Sequence, residues 1–348
     1  MDLVLQQALK ILEFIIALGL LIFLHELGHY LTCKLFKVEV EEFGFGFPPR
    51  IARLFVYQGT LFSLNALPFG AFVKPKGEND PEIAGGLAAA APLKRLVVLF
   101  GGPAMNLVAG VILFAILFSR VGAPDRSSVM IAGVVENSPA EAAGIKSQDI
   151  VLKINGVPIT RTDQMSSTIR SNLGIELTFT ILRDNQVLEI KGTPRTTWPS
   201  NEGPLGVQLT NPVKRVNFFQ SIPEGMIMVY DQTRELVLLP GRLIKGQISK
   251  EEARVVSFVG IYAIYQQAKG LNQKLWFLGV ISVALGLTNL LPIPALDGGR
   301  ILFVLPELIT RKRIPAQFET VVHFVGFAAL ILFMIYTVAQ DIINPIIP

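Results

Sequence analysis

The sequence predicts a polytopic α-helical membrane protein of about four transmembrane helices, with a membrane-associated β-hairpin region and a small extracytoplasmic α+β domain. Three observations predict it. Of the 348 residues, 51% are hydrophobic and only 17% charged, against about 25% in an ordinary soluble chain. Mean hydropathy is +0.50. Several uncharged apolar runs approach the roughly 20 residues that cross a bilayer, and between two of them lies a stretch of short β-branched segments punctuated by turns. The net charge of +4 is too small to point to a nucleic-acid partner, and no Lys/Arg cluster marks a duplex-binding face. The single cysteine, Cys33, excludes an internal disulfide and any thiolate-built zinc site.

The first span is read from Ile11 to Leu24, with its helical pattern continuing to Leu35. Asp2 and Lys10 replace the basic cluster of a leader and no small-residue cleavage site follows, so the span is expected to be retained. The second runs from Leu96 to Phe118, the third from Leu275 to Leu291 and the fourth from Val321 to Gln340. Basic residues orient them. Lys34, Lys37, Arg50, Arg53, Lys74, Lys76, Lys94 and Arg95 lie in one loop, and Arg300, Arg311, Lys312 and Arg313 in another. Both loops are expected to face the cytoplasm, with both termini and the segment 120–270 outside. Four regions follow: an N-terminal membrane part (1–126), a small domain (127–196), amphipathic linker helices (197–272) and a C-terminal membrane part (273–348).

In the small domain, strands are expected at Val129–Val135, Ile150–Ile154, Leu177–Leu182 and Val187–Lys191, with turns at Ile154-Asn155-Gly156 and Arg183-Asp184-Asn185. Helices are expected after Ser138-Pro139 and over Thr162–Ser171. From Phe218 to Ile244 the pattern is amphipathic, fitting a helix at the membrane surface or a core-facing helix of the soluble part.

Chemistry concentrates at His25-Glu26-Leu27-Gly28-His29. On a helix, residues i and i+4 share a face, so both imidazoles can reach one metal while Glu26 serves as general base on a water. This HExxH motif directly follows the uncharged run of the first span, where ionisable groups are costly and usually functional. The solvated alternative, residues just past the span, fits the ligand spacing less well. A third ligand must come from elsewhere. His323 and Asp297 are the candidates. Asp297 ends Asn289-Leu290-Leu291-Pro292-Ile293-Pro294-Ala295-Leu296-Asp297-Gly298-Gly299, a stretch whose prolines break helix after an apolar run. Asp297 also suits the cap of a helix starting at Gly298. His323 starts a span with no partner pattern and reads as an interface histidine.

HExxH on a first span with NxxPxPxLDGG on a later one resembles the site-2 protease family of intramembrane zinc metalloproteases, in its bacterial branch that cleaves anti-sigma factors. Gly102-Pro103-Ala104-Met105-Asn106 matches its GPxxN motif. The hairpin region around Gly59–Leu64 and Pro68–Lys74 and a PDZ-like domain after the second span agree with it. The resemblance implies Zn2+ held by His25, His29 and Asp297, Glu26 as the base, Asn289 on the substrate backbone and Asn106 arranging the site. It implies substrates that are single-pass membrane proteins, anti-sigma factors or signal-peptide-like segments, cut in the bacterial inner membrane towards the cytoplasmic side, with an upstream protease supplying trimmed substrate. The PDZ-like domain is expected to filter or bind substrates through a groove at Gly133, Val134 and Val135. Only one such domain fits here, where many relatives have two. An unwound substrate is expected to pair with an open strand edge of the hairpin at Phe62–Ala66. A silent membrane scaffold binding peptides through the PDZ-like domain is the alternative, but such a relative would usually have lost a ligand or the base.

Overall fold

The computed structural model describes residues 2–199, 202–249 and 253–345. The chain divides into two compact units, residues 1–120 with 218–348, and residues 121–217.

The first unit is built on apolar helices. They are α1 (Asp2–Leu35), α2 (Pro92–Val121), α5 (Phe218–Ile244), α6 (Phe258–Gln267), α7 (Gly270–Asn289), α8 (Asp297–Thr310) and α9 (Ala316–Ile343). Four of these, α1, α2, α7 and α9, are long and apolar enough to span a membrane. The fold is polytopic, as the apolar runs predict. α2 buries the largest share of its length and α9 the smallest.

Small residues set the helix packing, as expected where lipid and side chain are equally apolar. A Cβ at Gly28 of α1 would collide with the Gly101 carbonyl of α2. One at Gly286 of α7 would come 2.9 Å from the Pro103 carbonyl oxygen. The Ser282 hydroxyl of α7 donates to the Asn106 carbonyl at 2.8 Å. The amphipathic α5 has its buried residues Ser221, Gly225 and Val229 among these helices, and a Cβ at Gly225 would stand 2.6 Å from the Val111 carbonyl oxygen. The segment packs on the apolar helices of this unit and not in the core of the small domain, which corrects the second of the two expected positions.

Between α1 and α2 lie β1 (Val40–Tyr57) and β2 (Thr60–Pro75). Each bends midway, at Phe47-Pro48-Pro49 and at Pro68-Phe69-Gly70, so two strands make four ladder segments. Residues 60–65 pair with 50–57 on one side and with 42–45 on the other. Residues 71–75 pair with the stretch 40–45 on one side only. The open edge beside α1 is therefore 71–75. The expected edge at Phe62–Ala66 is a correction, because Phe62, Ser63 and Leu64 have neighbours on both sides. Gly70 turns at φ +71 against Ile22, laying the last segment along α1. Inside the sheet, the Ser63 hydroxyl (2.6 Å) and the Arg50 guanidinium both donate to the Glu42 carboxylate. Burial there works against ionisation, but these partners prevail and hold Glu42 below the usual carboxylate range.

The second unit contains β3 (Ala123–Pro124), β4 (Val129–Val134), α3 (Pro139–Ala142), β5 (Ile150–Ile154), β6 (Val157–Pro158), α4 (Thr162–Arg170), β7 (Leu177–Arg183), β8 (Gln186–Gly192), β9 (Val207–Thr210) and β10 (Val213–Lys214). Ser138 caps α3, its side chain accepting the Glu141 N–H at 3.3 Å. The main sheet runs β8-β7-β5-β4-β9, with β6 on β5. Val129, Ile131, Ile154, Met165, Leu177, Phe179, Ile181 and Leu205 form its core. β9 lies beyond residue 196, where the small domain was expected to end.

Candidate active site

α1 carries His25, Glu26 and His29 on one stretch of helix, and α8 begins at Asp297. The two meet. His25 Nε2 stands 3.1 Å and His29 Nε2 3.4 Å from Asp297 Oδ2, and the two ring nitrogens are 3.2 Å apart. This is the one cluster of three metal-ligating side chains among the described residues. Its spacing fits zinc: four ligands at about 2.0–2.2 Å in a tetrahedron stand about 3.3–3.6 Å from one another. The second ring nitrogens agree. His29 Nδ1–H donates to the Val98 carbonyl at 2.8 Å, leaving Nε2 as a lone pair aimed at the cluster. The fully buried Asn106 amide is placed with Nδ2 3.2 Å from His25 Nδ1 and with Oδ1 buried and unpartnered among the described residues, so the amide is better satisfied turned over. With its oxygen turned to that nitrogen it accepts the ring proton and frees Nε2 likewise.

Asp297 is the first residue of α8 and Leu296 its cap, so Asp297 caps no helix.

Glu26 sits between this cluster and the sheet edge. The Val73 N–H of the open 71–75 segment donates to Glu26 Oε2 at 3.0 Å. A cavity of about 420 Å3 joins these groups. His25, Glu26, His29, Asn289, Asp297 and Arg300 line it. Arg300 forms an ion pair with Glu78 on the cavity wall.

Of the residues singled out in sequence, His25, Glu26, His29, Asn289 and Asp297 share this cavity, and Asn106 backs it. His323 does not join the cluster. Its Nδ1 accepts the Ala295 N–H at 2.8 Å, two residues before Asp297. Gly133, Val134 and Val135 lie in the second unit. There Gly133 and Val134 pair with Gln208 and Val207, and Val135 N–H donates to Gly206. β4 is therefore interior, and β9, with β8 at the far side, is an edge of the sheet. The groove expected at Gly133–Val135 is corrected accordingly. A cavity of about 270 Å3 lies instead between α4 (Ser166, Ile169, Arg170) and the stretch from Gly203 to Leu209.

Sequence reasoning missed the Val98 carbonyl and the Val73 N–H, which are backbone groups and leave no sequence signal. It read Gly102 only as part of a motif. A Cβ there would overlap His29 Nε2 and stand 2.7 Å from His25 Nε2, so glycine is what lets α2 approach the imidazoles.

The sequence profile of peptidase family M50 matches residues 13–333. The chain belongs to peptidase family M50. The site-2 protease resemblance drawn from the motifs is thereby borne out. Among similar M50 proteins is one from Clostridium perfringens whose assignment as a zinc metalloprotease is itself inferred. It is 36% identical over 96% of this chain and 98% of its own length. The zinc metalloprotease RasP of Geobacillus kaustophilus is 28% identical over 96% of this chain and 97% of its own. The metalloprotease MmpA of Caulobacter vibrioides is 23% identical over 96% and 95%.

Proposed function

We propose that this M50 protein is an intramembrane endopeptidase in which His25, His29 and Asp297 hold zinc, Glu26 is the general base, and the substrates are single-pass membrane proteins. That the protein is a multi-pass zinc metalloprotease acting on proteins follows from its family and its four spans. The observation that carries the assignment of roles is the meeting of two imidazoles from α1 with a carboxylate from α8, beside a glutamate in one cavity.

Zinc supplies Lewis-acid activation of water at this site. The chain does the rest. The Val98 carbonyl and the Asn106 amide fix the two rings so that each presents Nε2. Glu26 takes the proton of the attacking water and returns it to the departing amine, the usual work of a carboxylate within reach of both. A transmembrane helix hides its scissile carbonyls in hydrogen bonds, so the substrate must unwind. The 71–75 edge offers it a ladder. The substrate carbonyl that takes the Val73 N–H releases Glu26 from that donor. Asn289, across the cavity, holds the extended backbone by its amide.

In this reading the basic loops put the site towards the cytoplasmic face of a bacterial inner membrane. The second unit, PDZ-like and outside, admits substrates already trimmed by an upstream protease, with anti-sigma factors and signal-peptide-like segments as the expected class. Any peptide it captures pairs with β9 in the groove against α4.

The test is cleavage of a single-pass protein in proteoliposomes. Wild type is expected to cut it within its span, chelator to stop the cut, added zinc to restore it, and Glu26→Gln to abolish it. Cleavage that persists in Glu26→Gln contradicts the role of the base. Equal cleavage of intact and trimmed substrates, with and without residues 121–217, contradicts the filter.

A further inference from the structure

The ligand Asp297 follows a stretch with almost no regular structure, Leu290 to Leu296, at the depth of a membrane helix end. Non-helical backbone survives there only where protein covers it. Ala295 adopts φ +78, a left-handed conformation that residues with a Cβ adopt only when their surroundings impose it. Two groups on α9 impose it. The Ala295 N–H donates to His323 Nδ1 at 2.8 Å. One turn further along α9, Gly326 receives Pro294 so closely that a Cβ would overlap the proline ring and stand 2.8 Å from its carbonyl oxygen. The imidazole of His323 also packs on Phe303 of α8, with ring centroids 5.4 Å apart. It thus touches both the loop before Asp297 and the helix that Asp297 begins. Its Nε2 is buried with no partner among the described residues. A histidine kept in an apolar span with one nitrogen unsatisfied is costly. What the ring supplies is an acceptor for the Ala295 N–H.

We propose that His323 is a positioning residue for Asp297: from α9 it pins Ala295, and with Gly326 it seats the loop that holds the carboxylate against His25 and His29. The proposal rests on the reading of those three residues as the zinc ligands. In it the fourth span, which contributes nothing to the cluster itself, sets how well the third ligand is aimed.

The experiment uses the full chain in detergent. Zinc affinity is measured by competition with a chelator, and ligand geometry by the visible spectrum of the Co2+-substituted protein. His323→Leu removes the acceptor. His323→Asn keeps one, because its amide oxygen falls near the place of Nδ1. Gly326→Ala pushes on Pro294 and leaves His323 intact. His323→Leu is expected to weaken zinc binding at least about tenfold, the scale of an outer-shell partner, and to change the Co2+ bands. Gly326→Ala is expected to move both in the same direction, and His323→Asn to restore both. Wild-type affinity and spectrum in His323→Leu overturn the proposal, and so does equal impairment in His323→Leu and His323→Asn. Should His323→Leu fail to fold, wild-type affinity in Gly326→Ala overturns it. Asp297→Ala separates the two layers of the argument. If that variant keeps its zinc, the ligand reading fails and the positioning role with it. If it loses zinc while His323→Leu does not, only the positioning role fails.

Discussion

The interior of the second unit is almost wholly aliphatic and aromatic, whereas that of the first sets glycines and polar groups at its helix crossings beside apolar clusters around Phe14 and Phe43. In the second unit Ile131, Phe179 and Ile181 are fully buried. Its buried charge, Asp149, is bound at both oxygens by Arg183 at 2.7 Å. That is the sorting water imposes. In the first unit Asn106 and Ser282 are fully buried and Gly28, Gly101 and Gly102 meet at the helix crossing. Leu332, Phe324 and other large apolar residues of α9 face outward. Between helices in lipid, close approach and hydrogen bonding add to apolar packing in deciding what lies at the crossings. A site needing two imidazoles and two carboxylates is therefore easier to build there than in a small soluble core, provided that small residues make room for it.

The comparison can be broken at its extremes. Gly102→Ala is expected to have the largest effect of all, taking cleavage to the chelator-treated background and removing bound zinc, because the added methyl overlaps His29 Nε2. Near-normal turnover of that variant would show that the helix crossing yields. In the second unit the equivalent weak point is an apolar one. Phe179→Ala is expected to cost about 3–5 kcal/mol in denaturant unfolding of that unit, with zinc content unchanged. Asn106→Leu keeps the branching and heavy-atom count of the side chain and removes its hydrogen bond to His25. Its zinc affinity is expected to fall about 10–100-fold. At the small end, Leu332→Ala on α9 removes an exposed leucine. It is expected to change stability by less than about 0.5 kcal/mol and to leave cleavage alone. A cost near that of Phe179→Ala would mean that α9 buries this face against protein.

The metal-ligating types and their helix were legible because HExxH is a local pattern, and the apolar runs gave the four spans by length alone. Asp297 was legible as a carboxylate in a broken helix, but its place at the first position of α8 was not. Capping and ligation require the same residue type, and only the backbone distinguishes them. Both misplaced edges share one cause. Whether Phe62–Ala66 or 71–75 is open depends on two strands folding back on themselves at Pro48-Pro49 and Pro68-Gly70, and β9 closes its sheet from beyond the expected domain end. Non-local pairing of this kind leaves little trace in alternation of residue types. His323 was visible as a costly intramembrane histidine. That its partner is a backbone N–H of the loop before Asp297 was not.

A zinc held jointly by α1 and α8 is tested most directly by the zinc stoichiometry of the purified chain. Wild type and Glu26→Gln are predicted to carry about one zinc per chain and Asp297→Ala close to none, since zinc sites of this type rest on three protein ligands. Full zinc in Asp297→Ala would contradict the bridge and place the third ligand elsewhere in the protein.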